Sequence, residues 1–422
     1  MEWSLFLVWG LAAATMVGVP LYAGLERGRT FATFGVVILA ISFPGALAMH
    51  LRLRDWAPSA ERSAIDLAFA YLFAAVGLHL GGLVRARLRR FWFRCGVSIP
   101  GMAFVAAGAL AGVWLLALLP LRGALELADF RGGLAALRWL DLVPFAVAAV
   151  SVVTSSRAVR ETVRVPVARD GPDQIERLPV ERLRRRHRQA SRDAGGRLRI
   201  VQIADPHLGP WVPVATLRRR IEDLLAEEPD LVLLTGDFLT MEGSGTPGAL
   251  ARALAPLRRA PGRCFAIFGN HDHEAPQEVC AALAENGVTL LVDQEAIVET
   301  PIGPVQILGA DYVSRGRKEH LEALIGRFPR RDGHLRLLLL HDPSAFKHLP
   351  KGAADLTLSG HTHGGQLGLV SFGFDWTVLS RTAWPDHGLF GHGSNRLYVH
   401  RGTGFYGFPL RIGVPGEASL LE

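Results

Sequence analysis

Four apolar runs, at positions 4–23, 31–49, 67–84 and 101–121, are each long enough to cross a bilayer as a helix, which takes roughly 17–25 residues. A fifth, at 140–156, has a shorter core and carries Asp141 near its start. Pro20 and Pro44 fall inside such runs, where neighbouring helices satisfy the freed backbone groups. Nothing marks the first run as a cleavable signal peptide, because Glu2 and no basic residue precede it. At 49% hydrophobic residues over 422 positions, the composition is too apolar for an ordinary soluble chain. Uneven charge along the chain divides it into a membrane half and a soluble half.

The short loops set the orientation, since Lys and Arg favour the cytoplasmic side. Arg85, Arg87, Arg89, Arg90 and Arg94 follow the third run, and a dense basic stretch follows the fifth. Five spans put both on one side, with the N-terminus outside and the soluble half in the cytoplasm; four spans would separate them. Asp66 and His79 are the polar exceptions within the runs, and both read as packed residues rather than as parts of a transport path. The formal net charge of +7 suits anionic headgroups or acidic phosphorylated substrates. Cys95, Cys264 and Cys280 form no CxxC pair and read as buried thiols, which excludes a disulfide framework.

Residues 1–157 therefore form a helical membrane domain, 158–196 a basic juxtamembrane linker, and 197–422 a soluble domain. In the linker, 161–167 reads as a strand from its alternating Val residues. Arg182, Arg184, Arg185, Arg186, Arg188 and Arg192 follow, a run placed to meet lipid headgroups. Nucleic-acid binding is the poorer reading, because no recognition motif accompanies the run.

From Arg197 onward, short apolar runs at 198–204, 231–235, 264–268, 305–310, 335–340 and 356–359 read as buried strands. Helical stretches at 214–226, 249–259, 277–285 and 318–328 alternate with them, which is the pattern of a layered α/β domain. Runs at 397–400 and 418–421 read as later, antiparallel strands.

Each of five motifs follows one of these strands: Asp205-Pro206-His207, Gly236-Asp237, Gly269-Asn270-His271-Asp272, His341 and Gly360-His361-Thr362-His363. Ligand sites in open α/β sheets gather beyond the carboxyl ends of strands, so five strand ends can serve one crevice. So many Asp, Asn and His side chains are costly to bring together unless cations sit among them. Oxygen donors mixed with imidazoles suit Mn, Fe or Zn. Asp205 and His207 would project to one side of extended chain, as would His361 and His363. Gly236, Gly269 and Gly360 would let the backbone turn before Asp237, Asn270 and His361. A carboxylate such as that of Asp237 can bridge two ions about 3.5–4 Å apart.

In this order, the motifs resemble those of the calcineurin-like metallophosphoesterase family. Gly364-Gly365-Gln366 and Arg401-Gly402-Thr403-Gly404 are similar to its bacterial membrane-anchored branch. The resemblance runs from about Arg197 to the C-terminus and implies a β-sandwich flanked by helices. It implies two divalent ions, Mn first and Fe or Zn next. Asp205, His207 and His363 would hold one ion; Asn270, His341 and His361 the other; Asp237 would bridge them. His271 would contact phosphoryl oxygens or protonate the leaving group, and Asp272 would orient it. A hydroxide bridging the ions would attack phosphorus in line. The sequence departs from the pattern at Asp342, where an amide is expected after His341, and at His273, which has no family role and reads as a surface histidine.

The resemblance also implies a substrate class, since some members of that branch cleave UDP-2,3-diacylglucosamine in lipid A synthesis. The tail aromatics Phe372, Phe374, Trp376, Trp384, Phe390, Phe405, Tyr406 and Phe408 read first as ordinary core and loop packing, and otherwise as an apolar lip that would accept an acyl chain or dip into the bilayer. Arg317, Lys318, Arg327, Arg330 and Arg331 would attract a phosphorylated headgroup or face solvent. The leading expectation is a phosphodiester or pyrophosphate hydrolase in the plasma (inner) membrane. A metal-bearing receptor or scaffold without turnover, or a general phosphodiesterase or nuclease, are the alternatives.

Overall fold

The computed structural model describes residues 3–167, 170–183, 196–407 and 409–422. Arg184, Arg185, Arg186, Arg188 and Arg192 of the expected basic run, and Phe408, lie outside these residues. The chain forms two units: Met1–Thr154 with Gly407–Leu410, and Ser155–Tyr406 with Arg411–Glu422.

The first unit is helical: α1 (Trp3–Arg27), α2 (Arg29–Trp56), α3 (Arg62–Leu83), α4 (Ile99–Leu127), α5 (Arg131–Asp141) and α6 (Val143–Ser155). Five stretches among the described residues are long and apolar enough to cross a membrane, the last being α5 and α6 taken together. This is the pattern of a multi-pass membrane protein. Between α2 and α4 the packing needs small residues, since a Cβ on Gly45 would strike the Gly108 carbonyl and one on Gly108 the Ser42 carbonyl. Phe73 packs edge-on against Phe43 and Phe104, with ring centroids 4.8 and 5.0 Å away.

Charge inside this bundle is paired, as burial in a bilayer demands. Asp66 is buried and accepts from Ser4 at 2.7 Å, His50 at 2.8 Å and Arg54 at 3.1 Å. Asp141 is buried between Arg52 and Arg122, each at 2.6 Å. His79 is buried in α3, so both polar exceptions are packed residues. The cysteines are free, but only Cys264 is buried; Cys95 and Cys280 are exposed, contrary to expectation.

The second unit is a layered α/β domain of two seven-stranded sheets. One sheet has the order β3 (Glu181–Leu183), β1 (Ala158–Arg164), β14 (Gly416–Leu421), β4 (Ile200–Ile203), β5 (Leu231–Leu234), β6 (Cys264–Ala266), β7 (Thr289–Leu290). The other has the order β2 (Glu176–Leu178), β12 (Gly388–His392), β13 (Asn395–Val399), β11 (Leu356–Ser359), β10 (Leu335–Leu339), β9 (Gly303–Gly309), β8 (Gln294–Thr300). Strands β4 to β7 are parallel, as are β9, β10, β11 and β13. The late strands are mixed rather than antiparallel: β14 is antiparallel to β4 yet parallel to β1, and β13 is parallel to β11. The segment read as a linker thus supplies β1 and β3 to one sheet and β2 to the other.

Period-two alternation builds the core. Leu231 and Leu233 of β5 join Leu337 and Leu339 of β10 in one cluster drawn from both sheets. Leu338 faces the other way, onto Leu321 and Leu324 of helix α7 (Arg317–Arg327). Each such leucine contributes about 1.5–3 kcal/mol by leaving water. Both faces of these central strands are buried, which explains their continuous apolar runs.

Candidate active site

The strands β4, β5, β6, β10 and β11 end at one edge of the two sheets, and each is followed by one of the five motifs. Asp205, His207 and His363 offer ligand atoms all within 4.8 Å of one another; Asp237, His341 and His361 do the same. Asp237 of the second triad also faces the first: its Oδ2 is 3.6 Å from His207 Nε2 and 3.4 Å from His341 Nε2. Asn270 joins the second group, with Oδ1 3.1 Å from His341 Nε2. All seven expected ligands therefore stand in one crevice.

The backbone reaches this arrangement by left-handed turns rather than by strand alternation. Asp205, His207, Asp237, His361 and His363 have φ of 47°, 42°, 57°, 69° and 51°. Non-glycine residues in this region cost on the order of 1–3 kcal/mol each. Inter-loop hydrogen bonds hold them there, including Asp205 N–H to Gly236 O and His207 N–H to Asp237 O, both 3.1 Å. Extended chain ends at Ile203, so the expected one-sided projection of Asp205 and His207 comes from these turns instead. Gly236 does take a positive φ of 89°. Gly269 and Gly360 serve close approach instead, since a Cβ there would collide with the carboxylates of Asp237 and Asp205.

Each aspartate has two tasks. Asp205 Oδ1 accepts the His361 amide at 2.9 Å, while its buried Oδ2 has no hydrogen-bond partner. Asp237 Oδ1 accepts the His271 amide at 2.9 Å and leaves Oδ2 to the imidazoles. One oxygen thus secures a neighbouring loop and the other faces the crevice. An unpartnered buried carboxylate oxygen is costly, and a cation there would satisfy it. Imidazole nitrogens face each other at 3.2 Å in the pairs His207–His363 and His341–His361, as ligands of a shared ion do. His341 Nδ1 lies 2.7 Å from Thr235 O; donating there directs the Nε2 lone pair into the crevice. The donor set fits two divalent ions.

Electrostatics agree with this fit. Burial pushes Asp205 up to about 7, against the pull of His341. Burial would also raise Asp237, but His341, His207 and His271 hold it well below the usual carboxylate range. Burial lowers His207 and His361 to about 4 each. His363 lies well below its usual value through burial, His207 and the buried Arg411 behind it. Neutral imidazole is the form that binds metal. His341 is the exception: burial would lower it, but Asp237 and Asp205 raise it to about 10. The field that holds a proton on His341 is the one that attracts a cation.

His271 sits at the crevice, one-quarter exposed, and its Nδ1 is 2.9 Å from Glu274 Oε1. Burial would lower its pKa, yet the Glu274 hydrogen bond and the Asp237 charge raise it. Asp272 does not orient this ring. Its carboxylate accepts the amides of Asp237 and Gly269 at 2.7 Å and of Phe238 at 2.8 Å. It holds the two loops together, and Glu274 is the partner of His271.

Other expectations resolve locally. Asp342 forms an ion pair with Arg317 at 2.8 Å and caps Ser344 N–H, so it adds no free charge to the crevice. Arg330 and Arg331 are paired with Asp355 and Glu295, which leaves less of this group to attract a headgroup. Arg182 pairs with Glu161. His273 is partly exposed and lies 3.0 Å from Asp311. Sequence reasoning placed Tyr406 among tail aromatics and did not single out Tyr312. Tyr406 lies over His207 and His271, with ring centroids 5.2 and 4.7 Å away. Tyr312 lies 6.1 Å from His341 and 6.3 Å from His361. Neither tyrosine falls inside a motif, so no spacing signal marked it.

Known proteins are similar to this chain. The family described as Calcineurin-like phosphoesterase matches residues 198–365. Phosphodiesterase YaeI of Escherichia coli (strain K12) is 31% identical over 244 residues, 56% of this chain and 86% of that protein. A transmembrane protein with metallophosphoesterase domain from Danio rerio is 32% identical over 238 residues, 52% of each chain. UDP-2,3-diacylglucosamine pyrophosphatase LpxG of Chlamydia trachomatis serovar D is 27% identical over 281 residues, 53% of this chain and 83% of that protein. Agreement of this extent makes the chain a member of the calcineurin-like phosphoesterase family, a metal-dependent phosphoesterase with a candidate dinuclear site.

Proposed function

We propose that the chain hydrolyses a phosphodiester or pyrophosphate bond in a lipid-linked substrate, at a dinuclear site facing the cytoplasm from the inner membrane. The observation that carries the dinuclear reading is Asp237 Oδ2, placed 3.4–3.6 Å from a histidine of each triad. Asp205, His207 and His363 would hold one ion, and Asn270, His341 and His361 the other, with Asp237 shared. Two such ions, Mn by the family likeness, would supply positive charge to the phosphoryl oxygens and acidify water. His271, with its pKa raised, holds the proton that the leaving oxygen needs. Glu274 keeps that ring oriented, and Asp272 keeps the Asp237 and Gly269 loops in register.

UDP-2,3-diacylglucosamine is the leading substrate, supported by the likeness to LpxG and by five helices long and apolar enough to cross a membrane. Residues 1–157 would anchor the enzyme, 158–196 would join the parts beside the headgroups, and 197–422 would carry the chemistry. Purified full-length protein in detergent with Mn is expected to release UMP and a lipid phosphate from UDP-2,3-diacylglucosamine. Hydrolysis of bis(p-nitrophenyl) phosphate alone would keep the phosphoesterase and remove this substrate. No turnover of either would overturn the proposal.

A further inference from the structure

The loop after the Gly360–His363 turn puts large apolar side chains into water. Phe372 and Phe374 are 71% and 63% exposed, and Leu369, Trp376, Val378 and Trp384 each stand more than two-fifths exposed. Exposed apolar side chains gathered in one loop mark a binding surface more often than those scattered singly over a protein exterior.

The backbone beneath these side chains is tied down. Leu369 N–H donates to Trp376 O at 2.8 Å, Val378 N–H to Leu367 O at 2.9 Å, and Ser371 N–H to Gly413 O at 2.8 Å. Thr377 and Ser380 hydroxyls both donate to Asp386 Oδ2, while Thr362 of the ligand-bearing turn donates to the Asp386 carbonyl at 2.6 Å. Asp386 therefore fixes the loop to the same turn that presents His361 and His363. The surface is a mounted lip, and it begins at the ligands: the Trp384 ring is 6.1 Å from the His361 ring.

A ligand that places phosphorus among the histidines can thus run its other end along apolar side chains. We infer that the lip formed by Leu369, Phe372, Phe374, Trp376, Val378 and Trp384 binds the acyl chain of the substrate. This inference rests on the phosphoesterase reading of the adjoining site. Aromatic rings on a fixed backbone lose little entropy when a chain packs on them. The five helices long and apolar enough to cross a membrane in the same chain argue for a lipid chain as the occupant.

The test uses full-length protein with Mn and a series of p-nitrophenyl alkyl phosphates, ethyl to dodecyl, below their micelle concentrations. Because each buried methylene contributes up to about 0.8 kcal/mol, kcat/KM is expected to rise at least about tenfold from ethyl to dodecyl. The triple variant Phe372→Ser, Phe374→Ser, Trp376→Ser should keep the ethyl rate and lose the chain-length dependence. A chain-length effect that is absent in the wild type, or unchanged in the variant, overturns the lip. A diazirine-bearing dodecyl phosphodiester gives a readout independent of turnover: adducts within residues 369–384 support the lip, and adducts elsewhere overturn it. Failure to hydrolyse even the ethyl ester would count against the phosphoesterase reading, with the adducts still deciding the lip.

Discussion

Five of the ligand residues share a backbone conformation that side chains other than glycine avoid. The strain is supported by the side chains themselves, since the Asp205 and Asp237 carboxylates accept the amides of His361 and His271. His271 is set apart, because its ring leans on Glu274 and Tyr406 rather than on a ligand oxygen. His271→Ala is therefore expected to lower kcat about 10²–10⁴-fold while metal content, measured by elemental analysis, stays constant. Glu274→Gln should lower kcat less, by roughly tenfold. It should also move the alkaline limb of the kcat/KM profile to lower pH. The sign follows from the raised pKa of His271: a proton donor is active below its pKa, and removing Glu274 lowers that value. A limb that stays in place would remove Glu274 from this role. The ligand residues were legible because metal chemistry restricts residue type. Glu274 was not, since its i,i+3 contact with His271 depends on a helical turn over Asp272–Glu274 that the loop sequence does not announce.

At the scale of elements, the Arg401-Gly402-Thr403-Gly404 segment follows β13 and carries a buried charge network. Arg401 reaches Glu417 of β14 at 3.0 Å and Glu161 of β1 at 2.7 Å, and Tyr398 of β13 donates to Glu417. The network ties the two sheets together next to the crevice. Burial would raise the Glu417 carboxyl, but His400 and Arg401 hold it well below the usual range. A depressed carboxylate contributes stability above its unfolded pKa, about 4.3, and loses it as pH falls through the folded value. Glu417→Gln should destabilise the second unit by up to about 3–5 kcal/mol, because it removes one of the two carboxylates that neutralise the buried Arg401. A chemical denaturation midpoint at pH 7 reads this, and the difference from wild type should shrink below about pH 4. A midpoint unchanged at pH 7 would mean that the network contributes little. The central strands were visible as apolar runs, whereas β8 and β12 were not. Gln294–Thr300 is an edge strand with polar alternation, and β12 opens with Gly388 and includes Gly391. Pairing across the sheet, which no local pattern reports, makes them strands.

For the whole molecule, the five apolar stretches were readable from length and composition alone. The first turns of α5 were not, because that helix is amphipathic and precedes the apolar run. A reporter fused after Glu422 should be active only as a cytoplasmic fusion; an external signal would reverse the proposed side. The central claim is that two ions in the crevice and the His271 proton act together on phosphorus. Its most direct measurement is metal content and phosphodiesterase rate of the full-length protein loaded with Mn, compared with His271→Ala. The expected result is two ions per chain in both proteins, with hydrolysis of bis(p-nitrophenyl) phosphate only in the wild type. Two bound ions without hydrolysis in the wild type, or an undiminished rate in the variant, would contradict the account.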